Sequence, residues 1–138
     1  MSTDRVSRLV RAPRDAVYRA CSDPTELVRW RMPLDMTARL LGADGATYRM
    51  ALGYPDGRID TFEARFVERV ANEKIVERIR FDAVERAGEM TMTTMLRPAD
   101  GGTEVTVLTE NLPAAIRPED DDDGTRQALG RLAALLER

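Results

Sequence analysis

The sequence predicts an α+β domain: a curved antiparallel sheet of about seven strands, with a long C-terminal helix across one face, in the order β-α-α-β6-α. Three observations carry this. Apolar residues recur at every second position through most of residues 36–109, in runs separated by Gly, Pro, Asn and Asp. Two short helical signatures occupy the stretch between Ala12 and Trp30. From Gly124 onward, Ala128, Leu129, Leu132, Ala133, Leu135 and Leu136 fall at helical spacing. A chain of 138 residues fits one domain over 1–138, large enough to bury a core without disulfide or metal.

The elements follow in order. Asp4 to Arg11 alternates, with Val6, Arg8 and Val10 on one face, and reads as a strand. Ala12-Pro13 opens a helix, since proline suits a first turn, and Ala16, Val17, Ala20 and Cys21 supply its apolar stripe. Asp23-Pro24-Thr25-Glu26 starts a second helix, with Asp23 as cap, and Leu27, Val28 and Trp30 end it. Met36, Ala38 and Leu40 then alternate as a strand, and Gly42 to Gly45 turns. Tyr48, Met50 and Leu52 mark the next strand, closed by the turn Gly53-Tyr54-Pro55-Asp56-Gly57. Phe62, Ala64 and Phe66 line a longer strand reaching Val70. Ile75, Glu77, Ile79 and Phe81 line another, and Asp82 to Gly88 reads as a loop. Glu89 to Leu96 and Thr103 to Thr109 are the last two strands, with Pro98 to Gly102 as the turn. Short turns between consecutive strands imply an antiparallel meander.

Composition removes several classes of function. The chain has no histidine, which excludes the His-containing nucleophilic triads and most zinc sites. Its single cysteine, Cys21, cannot form an intrachain disulfide and sits on an apolar helical face as an inert buried thiol. A net charge of −3 argues against nucleic acid as partner. No stretch approaches the ~20 apolar residues of a membrane span, and the N-terminus lacks a signal-peptide core, so a cytoplasmic location is expected. The acidic run Glu119 to Asp123 lacks the spacing of a calcium loop and reads as a solvated loop before the last helix. No phosphate-binding glycine loop or nucleophile elbow is present, and no cofactor or metal is expected.

A wide sheet twists and curls, and one straight helix cannot fill its concavity. The remaining space is either packed or left as a pocket. The chain has three Phe, three Tyr and one Trp to fill it, but seven Met, a residue that adapts to irregular cores and to permissive apolar sites alike. Met50, Met90, Met92 and Met95 are therefore either gap-fillers or lining for a ligand.

Val6 with Arg11-Ala12-Pro13, Val17 to Ala20, Asp23-Pro24 and Trp30 resemble the opening of the START-like, helix-grip superfamily (SRPBCC). Gly88 to Thr91, Gly101 to Val107, Asn111-Leu112-Pro113, Ile116 to Asp120, and Gly124 with Leu129, Leu132 and Leu135 resemble the closing half of its branch named for the activator of heat-shock protein 90 ATPase homologue. The resemblance covers nearly the whole chain and implies a sheet gripping the last helix around an apolar cavity. The chain departs from it at Gly124-Thr125, where the family commonly has Gly-Trp at the start of the final helix. Losing that Trp near the cavity mouth implies a different ligand size. The Gly-Gly pair before the third strand is split here, as Gly42 and Gly45. Co-chaperone activity does not transfer with a fold.

Candidate ligand-binding residues are Trp30, Tyr48, Met50, Phe62, Glu77, Met92, Leu129 and Leu132; no catalytic residue is assigned. Glu77 lies between Ile75 and Ile79 on an apolar face. Either it is desolvated and serves as an acid or ligand anchor, or it pairs with an arginine, or the strand is turned over. Arg8, between Val6 and Val10, poses the same question, its stem on apolar surface and its head in water. Trp30 either closes a pocket or staples its helix, and Tyr48 points its hydroxyl either inward or to water. The function expected is a binding module for an apolar or aromatic small molecule, monomeric or homodimeric. The alternatives are a polyketide cyclase/aromatase-like enzyme, which needs Glu77, Arg8 or Tyr48 converging on one pocket, and a chaperone co-factor or interaction module.

Overall fold

The computed structural model describes residues 3–33, 35–83 and 88–137. The chain runs β1 (Thr3–Val10), α1 (Arg14–Ser22), α2 (Pro24–Leu27), β2 (Thr37–Ala43), β3 (Thr47–Gly53), β4 (Ile59–Val70), β5 (Lys74–Phe81), β6 (Met90–Ala99), β7 (Gly102–Glu110) and α3 (Pro118–Leu136). This is the predicted α+β order. The seven strands form one curved antiparallel sheet in the order β1-β7-β6-β5-β4-β3-β2. Strands β2 to β7 meander, and β1 lies beside β7 at the opposite edge from β2. The segment carrying α1 and α2 must therefore cross the whole sheet, roughly 30 Å at the usual strand spacing, and on the way α1 packs on β5, β6 and β7.

The alternation read from the sequence decides which face is buried. Val6 and Val10, Tyr48 and Met50, Phe62 and Ala64, Ile75 and Ile79, and Val105 and Val107 all turn to the core. Helix α3 closes it with Ala128, Leu129, Leu132 and Ala133. Burying a leucine of this kind stabilises by about 1.5–3 kcal/mol. Among the strands, α3 packs mainly on the edge strand β1. The middle of the sheet is thus left partly uncovered by α3.

Several boundaries differ from expectation. Helix α3 begins at Pro118, so the acidic run is its first turns and not a loop before it. The physical reason is favourable: Pro118 occupies the first helical position, and Glu119, Asp120 and Asp121 meet the positive end of the helix dipole. Consequently Gly124-Thr125 is helical interior. Pro13 caps α1 from outside and does not begin it. Helix α2 ends at Leu27, and Trp30 lies in the turn after it. Gly42-Ala43 and Pro98-Ala99 extend their strands, leaving shorter turns; a register shift between Leu40 and Gly42 accommodates the former. Of the loop expected over Asp82 to Gly88, residues 84–87 lie outside the described residues.

The end of β1 passes against the start of β7 so closely that a Cβ on Gly102 would lie 2.2 Å from the Val10 carbonyl oxygen and 2.8 Å from Arg11 Cα. Thr103 Oγ1 donates to the Ala12 carbonyl at 2.8 Å in the same crossing. Both obstructing atoms are backbone and cannot swing away. We expect Gly102→Ala to cost about 1–3 kcal/mol as an overpacking substitution, read by urea unfolding, whereas Gly130→Ala, which meets nothing within 4 Å, should be neutral or stabilising through helix propensity. Equal stability of Gly102→Ala and the parent would refute the tight crossing. Among the described residues, no helix is long and apolar enough to cross a membrane.

Candidate functional site

The uncovered middle of the sheet opens into a half-open cleft of about 320 Å³. The sheet supplies Leu52, Phe62, Ile79, Phe81, Met90, Met92 and Val107. Helix α3 supplies Asp120, Asp121, Gly124, Thr125, Ala128 and Leu129 along its opposite wall. The connection after α2 supplies Trp30, Arg31, Met32, Pro33 and Met36. The lining is therefore apolar except near Arg31 and the acidic start of α3. Gly124 matters to its shape: a Cβ there would sit 3.3 Å from Pro33 Cγ, so the glycine lets the helix approach the connection closely.

Trp30 is held by both of its neighbours. Asp23 accepts from the Thr25 amide at 2.9 Å and caps α2, with Pro24 at the first helical position. The turn that follows carries the indole back to α1, where Nε1 donates to the Ala20 carbonyl at 2.9 Å. The ring is 2% exposed and also lines the cleft. Both roles weighed for it in sequence are thus compatible, but the staple runs to α1.

Behind the cleft lies a buried charge cluster. Glu77 is fully buried, opposite Phe66 on β4 and Met92 on β6. Arg31 meets it as a fork: Nη1 donates to Oε1 and Nη2 to Oε2, each at 2.8 Å. The Tyr48 hydroxyl accepts from Arg31 Nη1 at 2.9 Å and donates to Glu77 Oε1. Tyr48 is positioned by ring contacts with Phe66 at 5.4 Å and Phe62 at 6.2 Å. The Trp30 ring flanks the guanidinium at 5.5 Å. Burial works against the charged guanidinium, but the Glu77 charge and hydrogen bonds outweigh it and leave the Arg31 pKa raised. Burial, then the Glu77 charge, pushes the Tyr48 phenol well above its usual value. Burial pushes the neighbouring Cys21 thiol up to about 12, as suits an inert core thiol.

A second polar feature ties the start of α3 to β1. Burial, and then Asp4 beside it, raises Asp121 to about 7. Asp4 is raised too, first by burial and then by the charge of Asp122, which itself is engaged by Arg126. Asp121 thus keeps its proton in the folded chain up to about pH 7. The consequence for stability has a definite sign. Below the ordinary aspartate value of 3.8 the folded and unfolded chains both bind that proton; between there and about 7 only the folded chain does. The stabilisation is complete at low pH and lost as pH rises through about 7. We expect Asp121→Asn to flatten the fall in melting temperature between pH 5 and 8 and to gain about 1–2 kcal/mol at pH 8, solvent screening included. A fall as steep as the parent's would refute the raised Asp121.

Of the residues proposed from sequence, Trp30, Phe62, Met92 and Leu129 line the cleft. Tyr48, Met50, Glu77 and Leu132 are buried in the core instead. Arg8 is exposed on β1 and joins neither group. Of the three residues that the cyclase reading named, Glu77 and Tyr48 bond each other, and none of the three lines the cleft. Arg31, Met36, Asp120 and Asp121 were missed. Nothing periodic marks a turn residue such as Arg31; the only signal was that a carboxylate predicted inside needs a cation. Among the described residues, no three or more His, Cys, Asp or Glu are grouped to hold a metal ion.

A curved antiparallel sheet gripping a C-terminal helix, with an apolar cleft between them, defines a START-like, helix-grip domain. Within that class, residues 11–137 match the family model described as Activator of Hsp90 ATPase homolog 1-like protein, and the chain belongs to this family. It is similar to a solved protein of Chromobacterium violaceum, with 35% identity and a TM-score of 0.93 over 99% of this chain and 97% of that one. A Silicibacter pomeroyi AHSA1 protein aligns at 15% identity and a TM-score of 0.82, covering 99% and 98% of the two chains. A Nitrosomonas europaea protein aligns at 19% and 0.77, covering 98% and 94%. These last two speak for the fold alone. No curated protein matches the chain.

Proposed function

We propose that the protein binds an apolar or aromatic small molecule in the cleft between α3 and the sheet. The observation that supports this is the cleft itself: about 320 Å³, lined mainly by Met, Phe, Leu and Ile side chains, with one arginine at its wall. Concave, largely apolar spaces with a few placed polar groups are the usual form of a small-molecule site. Trp30, Phe62, Met92 and Leu129 are the contacts in this reading; Tyr48, Met50, Glu77 and Leu132 support them from behind. The protein then acts as a carrier or sensor of its ligand, with no cofactor.

The test is a thermal-shift screen with fatty acids, sterols, flavonoids and aromatic polyketides, run on the parent and on Thr125→Trp. Thr125 is half-buried and lines the cleft, so that exchange puts a large ring into it. At least one class should raise the melting temperature of the parent and leave Thr125→Trp unmoved. A panel that shifts neither, or both equally, defeats the reading.

A further inference from the structure

We propose that the cleft takes an apolar molecule carrying one uncharged hydrogen-bond acceptor, a ketone, ester or aryl-ether oxygen, which accepts from the guanidinium of Arg31. This rests on the ligand-binding reading above and names the chemistry of the ligand. Arg31 stands at a boundary. Its side chain is 11% exposed and lines the cleft, whereas Glu77 and Tyr48, which hold it, do not. A guanidinium has five N–H donors in a fixed plane. Its bonds to Glu77 and Tyr48 use Nη1 and Nη2 on the core side. The other donors have no hydrogen-bond partner among the described residues, and the side chain that carries them lines the cleft. A donor that a ligand covers without offering an acceptor loses free energy, so a ligand oxygen placed there gains more than an apolar surface would.

The charge balance decides which oxygen. Among the described residues, Arg31 is the only Lys or Arg lining the cleft, and its charge is already matched by a bidentate carboxylate 2.8 Å away. Asp120, at the acidic start of α3, lines the same cleft. A ligand carboxylate would therefore meet Glu77 behind the guanidinium and an acidic helix start across the space, with no surplus positive charge. A neutral acceptor gains the hydrogen bond without that repulsion. The cluster also fixes the donor: the Glu77 fork, the Tyr48 hydroxyl and the flanking Trp30 ring restrain the guanidinium plane, so little entropy is lost when a ligand engages it.

The experiment compares three naphthalenes of one shape by calorimetry: 2-acetylnaphthalene, 2-ethylnaphthalene and 2-naphthoate. For the parent protein we expect 2-acetylnaphthalene to bind at least ~10-fold more tightly than 2-ethylnaphthalene, the ordinary effect of a hydrogen bond to a charged donor, and 2-naphthoate to bind more weakly than the ketone. In the variant Arg31→Met/Tyr48→Phe/Glu77→Met, which removes the whole cluster, the ratio of ketone to hydrocarbon affinity should fall to about onefold. Independently of that variant, the arginine side-chain N–H signals of the ¹⁵N-labelled parent should shift with the ketone and stay put with the hydrocarbon. Equal affinities for ketone and hydrocarbon, tighter naphthoate, or an unmoved Arg31 signal overturn the inference while apolar binding stands. Failure of all three compounds to bind overturns the inference and the ligand-binding reading together.

Discussion

Arg31→Met should destabilise the protein by about 3–5 kcal/mol, the largest effect expected of any single substitution considered for this chain. The reason is what it leaves behind. Glu77 is fully buried, and both of its oxygens are held by Arg31. Removing the guanidinium strands a carboxylate in apolar surroundings, with only the Tyr48 hydroxyl still donating to it. Desolvation of an unpaired charge costs far more than the intact pair ever contributed, since the pair itself roughly offsets its own burial. Glu77→Gln should cost less, because the neutral amide still offers an oxygen to Arg31. Replacing Arg31, Tyr48 and Glu77 together by Met, Phe and Met should restore most of the loss. Urea unfolding of the four proteins at pH 7 checks this. A loss below about 1 kcal/mol for Arg31→Met would mean that Glu77 reaches water, contrary to its burial.

Leu132→Ala should cost about 2–5 kcal/mol, the range for a buried leucine truncated where its neighbours cannot collapse. Leu132 is fully buried on α3, one turn from Leu129 and beside Ala128 and Ala133. Those alanines are already small, so the helix has no larger side chain to slide into the vacated volume. The comparison is Leu136→Ala, at a half-buried position near the end of α3, which should lose less than half as much. Because α3 also forms one wall of the cleft, Leu132→Ala should weaken binding of any cleft ligand along with stability. Denaturant titration with and without ligand separates the two. Equal losses at Leu132 and Leu136 would mean that α3 is not seated on the sheet as described.

The two features that matter most here differed in how far they could be read in advance. Glu77 announced itself: a carboxylate in phase with Ile75, Ile79 and Phe81 either faces the core or the strand is reversed, and the structure has it facing the core. Tyr48, in phase with Met50, had the same signal for its ring but none for its hydroxyl, whose direction depends on a partner from another strand. Arg31 had no signal, because a turn has no period, and its partner is 46 positions away in the chain. The start of α3 was misjudged for a local reason. Five consecutive acidic residues look like a solvated loop, yet Pro118 ahead of them and the helix dipole make the same residues a helix start.

Alternation, turn residues and one apolar helical stripe determined, without any structure, that this chain forms a seven-stranded antiparallel sheet with a helix on one face. Those signals are local: period and turn chemistry act between residues a few positions apart. The tertiary structure alone decided that α3 sits toward the β1 edge, that the middle of the sheet is left open as a cleft, and that Arg31 arrives from the connection after α2 to match Glu77. Each depends on where distant segments meet once the crossing from β1 to β2 is made. That distance is set by packing the whole chain at once, and no stretch of sequence carries it.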